Sequence, residues 1–291
     1  MFKGVYTALV TPFLNGEIDF PSLDKLIDQQ LSNGIQGFVV CGTTAESPTL
    51  TNQEKLELLQ FTTERVKGKV PILFGSGSNC TKKTIELSQA ACEFKIDGLL
   101  VVVPYYNKPP QEGLLAHFTA VADASNKPIV MYNVPGRTVT SLAADTIIEL
   151  AKHPNIRGIK EADGDLNNFS KYKSAVGDDF ALLSGDDESC VSFCLLGGHG
   201  VISVCSHVAP AAMVKWIHRA INKDESVREE YRRQQLWISN LYMTSNPIPV
   251  KAALNQKGVI ASKEMRLPLV ELNDTMTSQL MKSFENFQDI L

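Results

Sequence analysis

The chain alternates from end to end between short apolar runs and longer amphipathic segments. Eight runs rich in β-branched and other apolar residues predict strands, at residues 5–10, 37–41, 72–75, 99–103, 129–132, 158–160, 181–184 and 201–204. The runs are continuously apolar, which is typical of parallel strands covered on both faces. Eight such strands with helices between them predict an α/β fold, a (β/α)8 TIM barrel with a C-terminal helical extension. An open doubly wound sheet is the alternative, but no Gly-x-Gly-x-x-Gly follows an early strand.

Segments with apolar residues at helical spacing follow the strands. They predict helices at residues 51–61, 81–94, 112–124, 143–153, 167–176 and 211–221. Beyond residue 223 no strand-like run occurs, and the pattern predicts three helices at residues 228–243, 249–256 and 274–287. No linker or low-complexity stretch separates this tail. We therefore predict one continuous domain, with a barrel over residues 1–222 and a C-terminal helical region packed on it over residues 223–291.

Charge and hydropathy exclude several classes of partner. The formal net charge is −4, so no basic field indicates binding to nucleic acid. The longest apolar run, residues 98–104, is too short to cross a bilayer. The first residues contain an early proline and no small-residue cleavage site. We therefore expect a cytoplasmic protein with no membrane and no nucleic-acid partner.

Cysteines and histidines form no metal-binding or disulfide pattern. The six cysteines are scattered, none in Cys-x-x-Cys, and Cys190 and Cys194 are spaced as on one helix face. The five histidines include no His-x-x-x-His or Glu-x-x-His pair. We expect buried thiols in a reducing compartment and no catalytic metal.

Lys160 ends the predicted strand at residues 158–160, and Tyr132 ends the strand before it. A nucleophilic lysine must lose its proton, and an apolar barrel interior favours the uncharged amine. An amine beside a phenol is the minimum equipment for Schiff-base chemistry on a carbonyl substrate. The non-catalytic alternatives for Lys160 are a lysine that extends to solvent from a strand end, or one paired with Glu161. Strand alternation sends Glu161 to the opposite face, which weakens the pairing alternative.

Other polar residues follow the predicted strands, where barrel enzymes collect their catalytic groups. Thr43 and Thr44 lie on a strand-to-helix loop, where hydroxyl and N–H groups can hold a carboxylate, although an ordinary Ser/Thr turn is common there. Arg137 suits a bidentate grip on a second carboxylate, although most loop arginines are merely solvated. Asp186 and Asp187 suggest either a magnesium site or, better, an N-cap for a helix beginning near residue 188.

Together these residues resemble a known family, the dihydrodipicolinate synthases, also called 4-hydroxy-tetrahydrodipicolinate synthases. The resemblance runs from about Gly4 to the final helix. The combination is specific, although Gly-x-Thr-x-Glu with the tyrosine and lysine marks the wider pyruvate-aldolase superfamily. The segments that carry it are Gly42-Thr-Thr-x-Glu-Ser47, Pro104-Tyr-Tyr-Asn107, Tyr132-Asn-Val-Pro-x-Arg-Thr138, Gly158-Ile-Lys-Glu-Ala162, Ser184-Gly-Asp-Asp187, Gly197-Gly-His-Gly-Val-Ile-Ser-Val204 and Asn246-Pro-Ile-Pro-Val-Lys251.

The resemblance implies a barrel enzyme that forms an imine between Lys160 and pyruvate and condenses it with aspartate semialdehyde. It implies no cofactor beyond this covalent imine, and a homo-oligomer, a dimer or more commonly a tetramer. Thr43, Tyr132 and Tyr106 would form a proton relay, with Tyr106 delivered by a neighbouring subunit. The remaining implied contacts are Thr44 with the pyruvate carboxylate, Arg137 with the carboxylate of the semialdehyde, and the main chain of Gly185 and Ile202 with the pocket wall.

Three residues depart from the family pattern. Ala45 replaces a glycine, which would alter the loop if that position needs a positive φ. Gly136 stands where serine is frequent, and Asp163 stands where threonine or serine is common.

The resemblance also bears on regulation. In lysine-inhibited members an allosteric cleft uses Ser, Asn, Tyr, His and Glu side chains, and the matching positions here include Ser47, Asn79 and Tyr105. Asn52 and Lys55 stand where histidines are found, and Lys83 stands where a glutamate would hold the effector's amine. Two ammonium groups repel a bound lysine, so weak or absent lysine inhibition is expected.

Three other functions remain as alternatives. An N-acetylneuraminate lyase or keto-deoxy-sugar-acid aldolase would keep the lysine chemistry, but those relatives typically lack an arginine like Arg137. A non-catalytic keto-acid sensor would not need a proton relay. A metal-dependent hydrolase ranks last, because only Asp186 and Asp187 favour it.

Overall fold

The computed structural model describes residues 2–285. Eight parallel strands close into a barrel in which each strand pairs with its sequence neighbours and the last pairs with the first. A two-stranded hairpin, β2 and β3, lies outside the barrel. The strands are β1 Gly4–Ala8, β2 Phe13–Leu14, β3 Glu17–Ile18, β4 Gly37–Val40, β5 Ile72–Gly75, β6 Gly98–Val102, β7 Ile129–Asn133, β8 Ile156–Glu161, β9 Ala181–Ser184 and β10 Gly200–Ser203.

Helices follow the barrel strands and cover their outer faces. They are α1 Phe20–Ser32, α2 Asn52–Val66, α3 Thr81–Cys92, α4 Gln111–Asp123, α5 Pro135–Thr138, α6 Ala144–Leu150, α7 Leu166–Lys173, α8 Cys190–Leu195 and α9 Pro210–Ile221. Four more helices follow, α10 Val227–Arg232, α11 Gln235–Asn240, α12 Ile248–Gln256 and α13 Asp274–Phe284. The predicted (β/α)8 barrel with a C-terminal helical extension is confirmed. The division at residue 222 stays a prediction.

Local sequence signals explain where several helices begin. The side chain of Asp19 accepts a hydrogen bond from Ser22 N at the start of α1, and Asn273 does the same for Met276 N at α13. Thr51 and Glu54 form a reciprocal capping box at α2. Each such cap stabilises its helix by about 1 kcal/mol.

The core has two layers because side chains alternate across each strand. Inward-facing residues such as Leu73, Leu100, Val130 and Leu183 fill the barrel. Outward-facing neighbours pack under the helices in a much larger cluster. Full burial of one such aliphatic side chain stabilises the fold by about 1.5–3 kcal/mol, so both layers hold the strand ends in fixed positions.

The C-terminal region differs from the prediction in one place. The single helix predicted at residues 228–243 is two helices, α10 and α11. At the break, Gln234 N donates to Tyr231 O, which is an i→i−3 bond where the α-helix would have i→i−4. The buried stripe of Tyr231, Trp237 and Ile238 continues through the break, so side-chain periodicity does not reveal it. Helix α13 ends at Phe284, and the predicted end at residue 287 lies outside the described residues.

None of the helices between residues 2 and 285 combines the length and apolar character needed to span a membrane.

His207 is fully buried and forms hydrogen bonds to the segments that follow two barrel strands. Its Nδ1 donates to Val204 O (2.9 Å) after β10, and Val10 N, in the segment after β1, donates to its Nε2 (3.2 Å). Burial lowers the pKa of His207 to about 4. A second proton on Nε2 would also break the bond from Val10, so the neutral ring is part of the folded structure.

We predict that His207 makes the fold less stable in mild acid. The unfolded chain gains a proton at this histidine as the pH falls below about 6.5, whereas the folded chain does so near pH 4. The contribution of neutral His207 is present above pH 6.5 and is lost as the pH falls towards 4. Between pH 7 and 5 the loss is about 2 kcal/mol.

Urea unfolding of the wild type and of His207→Gln at pH 7 and 5 measures this loss. Glutamine can still accept from Val10 N, and the variant should lose about 2 kcal/mol less than the wild type between these two pH values. The exposed His218→Gln is the matched control and should leave the difference unchanged. Identical pH dependence in wild type and His207→Gln would contradict the prediction.

Candidate active site

The carboxyl ends of the barrel strands surround a cavity of about 410 Å³. Seven of the eight predicted catalytic and substrate-binding residues line it, and they come from five different strand ends. The seven are Thr43, Thr44, Tyr132, Arg137, Lys160, Gly185 and Ile202. The eighth, Tyr106, does not line the cavity. The structure therefore collects residues that are up to 159 positions apart in the chain (202 − 43).

Lys160 points into the barrel from β8. The register places it level with Tyr132 of β7 on one side and Leu183 of β9 on the other. It is 6% exposed, and its Nζ lies 4.2 Å from the centre of the Tyr132 ring. Within residues 2–285 no carboxylate lies within 4.0 Å of this Nζ. The amine therefore faces an aromatic ring and the cavity.

Glu161 faces away from Lys160, as strand alternation predicts. Its Oε1 accepts from Asn133 Nδ2 (2.8 Å), and its Oε2 accepts from the Tyr172 hydroxyl (3.1 Å). These contacts occupy the carboxylate on the outer side of the barrel. Pairing of Lys160 with Glu161 is thus wrong, and burial of Lys160 excludes extension into open solvent.

Gly185 leaves the space that the Lys160 side chain occupies. A Cβ on residue 185 would lie 2.7 Å from Lys160 Cε and 2.8 Å from Ala162 Cβ. Real Cβ atoms do not approach other atoms so closely, so any larger residue here moves the lysine. The glycine sets the position of the amine through its lack of a side chain.

The loop after β4 presents Thr43 and Thr44 to the cavity. Residues Thr43–Ala45 form a short 3₁₀ turn, and the amides of its first residues make no helical hydrogen bond. Asn246 Nδ2 donates to Thr44 Oγ1 (2.9 Å), which leaves the hydroxyl proton of Thr44 available. Hydroxyl and amide donors at one point suit a carboxylate.

The residues that depart from the family pattern fit without strain. Ala45 is buried in the 3₁₀ turn, and the left-handed φ of this loop (55°) falls on Glu46. Gly136 has no positive φ and has open space where a Cβ would stand. Asp163 accepts from Asp165 N in the loop before α7 and does not line the cavity.

Arg137 provides a cation at the same cavity. It lies on the short helix α5, is exposed, and its Nη2 donates to Asn246 O (3.4 Å). Its guanidinium retains several N–H groups for a second anion.

Asp186 and Asp187 have different structural tasks. Asp186 Oδ2 accepts from Ser189 N (2.9 Å) in the turn before α8. The helix begins at Cys190 with Ser189 as its N-cap, so the N-cap predicted at Asp186 and Asp187 is wrong. Asp187 Oδ2 accepts from Val204 N (2.8 Å), Cys205 N (2.9 Å) and the Tyr242 hydroxyl (2.6 Å). It therefore ties the end of β10 to the C-terminal region, a role that the sequence did not indicate. No group of three His, Cys, Asp or Glu side chains suited to a metal occurs in residues 2–285.

Tyr106 stands apart from the cavity of its own chain. It is 87% exposed and has a left-handed φ of 75°. A tyrosine this exposed has its aromatic face available to another molecule.

Three of the six predicted allosteric positions line a second, smaller cavity. Ser47, Lys55 and Tyr105 line this cavity of about 290 Å³, which shares Tyr132 and Arg137 with the first. Asn79 is partly buried, whereas Asn52 and Lys83 are exposed and do not line it. Burial lowers the pKa of Lys55.

Comparison with known proteins gives a match along nearly the whole chain. The model of the dihydrodipicolinate synthetase family matches residues 1–287. A protein of Bdellovibrio bacteriovorus named 4-hydroxy-tetrahydrodipicolinate synthase is 52% identical over 283 residues, which cover 96% of each chain. A protein of the same name from Leptospira biflexa is 45% identical over 283 residues, covering 97% of this chain and 96% of that protein. A crystal structure of dihydrodipicolinate synthase from Thermotoga maritima is 41% identical and superposes with a TM-score of 0.96, with full coverage of both chains.

We predict that Gly185→Ala disables Lys160 because the added methyl group collides with its side chain. Covalent trapping of pyruvate by borohydride should slow at least tenfold, which corresponds to about 1.4 kcal/mol in the barrier. The rate of adduct formation, followed by mass spectrometry, measures this. Gly113→Ala in α4, where the new Cβ makes only ordinary contacts, is the matched control and should trap pyruvate at the wild-type rate. Unimpaired trapping by Gly185→Ala would show that the lysine does not need this space.

Proposed function

The chain belongs to the dihydrodipicolinate synthetase family, and we propose that it condenses pyruvate with L-aspartate 4-semialdehyde through an imine on Lys160. The product is 4-hydroxy-tetrahydrodipicolinate, formed in the first committed step of diaminopimelate and lysine biosynthesis. The enzyme is a lyase of the Schiff-base class. The observation that carries the assignment of Lys160 is its burial in the barrel against the Tyr132 ring, with no carboxylate partner among residues 2–285.

The first half of the reaction activates pyruvate. The Nζ of Lys160 attacks the ketone carbon, and the resulting carbinolamine loses water to give a protonated imine. Loss of a methyl proton then gives an enamine. Proton movements in these steps need a relay, and Tyr132 and Thr43 line the same cavity. The hydroxyl of Thr44 and the amides of Thr43 and Thr44 hold the pyruvate carboxylate, which is supported by the free donors of this turn.

The second half forms the ring. The enamine carbon attacks the aldehyde of the semialdehyde, which forms a C–C bond and turns the aldehyde oxygen into a hydroxyl. The substrate's own amine then attacks the imine carbon and displaces Lys160, which returns as the amine. Arg137 holds the carboxylate of the semialdehyde, and the main chain of Gly185 and Ile202 forms the wall beside the lysine.

No resident cofactor enters this scheme, because the covalent imine itself supplies the electron sink. Every step moves protons or electron pairs between the substrates and the side chains at the cavity. We therefore propose that the enzyme works without a metal or an organic cofactor.

We further propose that the protein is a homo-oligomer, a dimer or a tetramer, in which Tyr106 completes the proton relay of a neighbouring subunit. The exposure of Tyr106 supports this, because its hydroxyl has no place at the cavity of its own chain.

The direct test combines turnover and trapping. We expect the wild type to consume pyruvate and aspartate semialdehyde together, and borohydride with pyruvate to label Lys160. Lys160→Ala should lower kcat at least a thousandfold and remove the label, because no other amine lies at the cavity among residues 2–285. Lys257→Ala, at an exposed lysine outside the cavity, is the control and should keep both activities.

Other outcomes of this test separate the alternatives. Turnover of N-acetylmannosamine or sugar aldehydes in place of aspartate semialdehyde would indicate a sugar-acid aldolase. Adduct formation without turnover of any aldehyde would indicate a keto-acid sensor. A label that persists in Lys160→Ala would refute the assignment of the nucleophile.

We also predict that lysine inhibits this enzyme weakly or not at all. The Lys55 side chain lines the second cavity, and a positive charge there repels the amine of a bound lysine. Lys83 is another lysine at a predicted contact, outside this cavity. Steady-state rates should change less than twofold at about 1 mM lysine. At this concentration an effector with a Kd of about 1 mM would occupy half of its sites. Strong inhibition at sub-millimolar lysine would contradict the prediction. Lys55→His, which restores the residue type of inhibited relatives, provides the comparison.

A further inference from the structure

One ion pair within residues 2–285 has both side chains completely buried. Lys251 Nζ donates to Glu46 Oε1 over 2.7 Å, and both side chains are 0% exposed. The two residues are 205 positions apart and join the loop after β4 to helix α12. Neither residue lines the cavity that contains Lys160. The mechanism above therefore makes no use of either charge.

Glu46 follows directly on the turn that carries Thr43 and Thr44. Its backbone has a left-handed φ of 55°, and its N–H donates to Thr43 O (3.1 Å). The second carboxylate oxygen accepts from Arg266 N (3.0 Å), also in the C-terminal region. Two donors from that region thus fix one side chain at the end of the carboxylate-binding turn.

Lys251 also makes contacts besides the one with Glu46. Its Nζ lies 4.4 Å from the centre of the Phe13 ring and also donates to Glu264 O. Asn246, five residues earlier, donates to Thr44 Oγ1. The segment from residue 246 to 251 therefore contacts this loop at two points, Thr44 and Glu46.

A purely structural role does not require an ion pair at this place. Buried charges are costly to desolvate, and an apolar pair of similar volume commonly stabilises a fold as well or better. A charge-assisted hydrogen bond differs from apolar contact in fixing distance and direction. The structure favours a pair that sets the position of the turn.

We propose that Glu46 and Lys251 are positioning residues, which hold Thr43 and Thr44 where their hydroxyl and amide groups meet the pyruvate carboxylate. This rests on the proposed function, since it assigns that carboxylate to this turn. The C-terminal region then acts on the first substrate without touching it. The pair should influence the affinity for pyruvate more than that for the semialdehyde, whose carboxylate lies at Arg137.

A double-mutant cycle tests the proposal. Glu46→Gln and Lys251→Met each leave one charge buried without its partner, and both should lower the melting temperature. The double variant carries no buried charge at this site, so it should recover most of the lost thermal stability. If the pair positions the turn, the double variant still has a KM for pyruvate at least tenfold above wild type. Its KM for aspartate semialdehyde should change less than threefold.

Glu230→Gln is the matched control, because Glu230 pairs with Arg219 and Trp216 in the outer helical layer far from this turn. It should lose stability and keep the wild-type KM for pyruvate. A double variant with wild-type KM for pyruvate would overturn the proposal and leave a structural role. If both single variants fail to fold, the double variant alone decides. A wild type that forms no borohydride-trapped adduct would overturn the proposed function, whereas an adduct with unchanged KM in the variants overturns only this inference.

Discussion

The site depends on one lysine that points into a closed barrel. Successive side chains on β8 point to opposite faces of the barrel wall. Glu161 faces outward, where Asn133 and Tyr172 donate hydrogen bonds to its carboxylate, so Lys160 faces inward. The register of parallel strands then places the Tyr132 ring beside the amine. Gly185 leaves the room that the lysine side chain needs. All three positions follow from the backbone, so the hydrogen bonds that close the barrel also determine where the amine of Lys160 lies.

The C-terminal helices form part of the site although they lie outside the barrel. Asn246 and Lys251 contact the turn that carries Thr43 and Thr44, and Tyr242 contacts Asp187 at the ends of β9 and β10. Breaking a buried ion pair by removing one partner costs about 3–5 kcal/mol, a large part of the roughly 5–15 kcal/mol that stabilises a whole domain. The tail is therefore coupled to the barrel energetically as well as spatially. This coupling gives a structural reason for the motif at residues 246–251, one of the segments in which the chain resembles the family.

The sequence predicts the barrel well because its signals are local. Apolar runs locate all eight barrel strands, and those at Ile72–Gly75 and Ala181–Ser184 have the predicted limits. Lys160 and Tyr132 are recognisable because each closes an apolar run of the sequence, although both strands continue for one more buried residue, to Glu161 and Asn133. The break between α10 and α11 is not predictable in this way, since the backbone changes its hydrogen bonds while the buried stripe continues. The contacts of Asp187 and Lys251 are also not predictable from the sequence, because their partners lie far away in the chain and only the closed fold brings them together.

Three buried or partly buried lysines show how the same residue type takes different roles. Lys251 has the Glu46 carboxylate at 2.7 Å, so its cation is compensated and serves as a fixed link. Lys55 lines the second cavity, and burial there lowers its pKa. Lys160 has an aromatic ring and open cavity before it and no carboxylate among the described residues. A nucleophile must release its proton, and a carboxylate partner would hold that proton in place. Neither Lys160 nor Lys55 has such a partner among the described residues, but of the three lysines only Lys160 lines the cavity that also contains Thr43, Thr44 and Arg137. This position marks it as the amine that can attack a ketone.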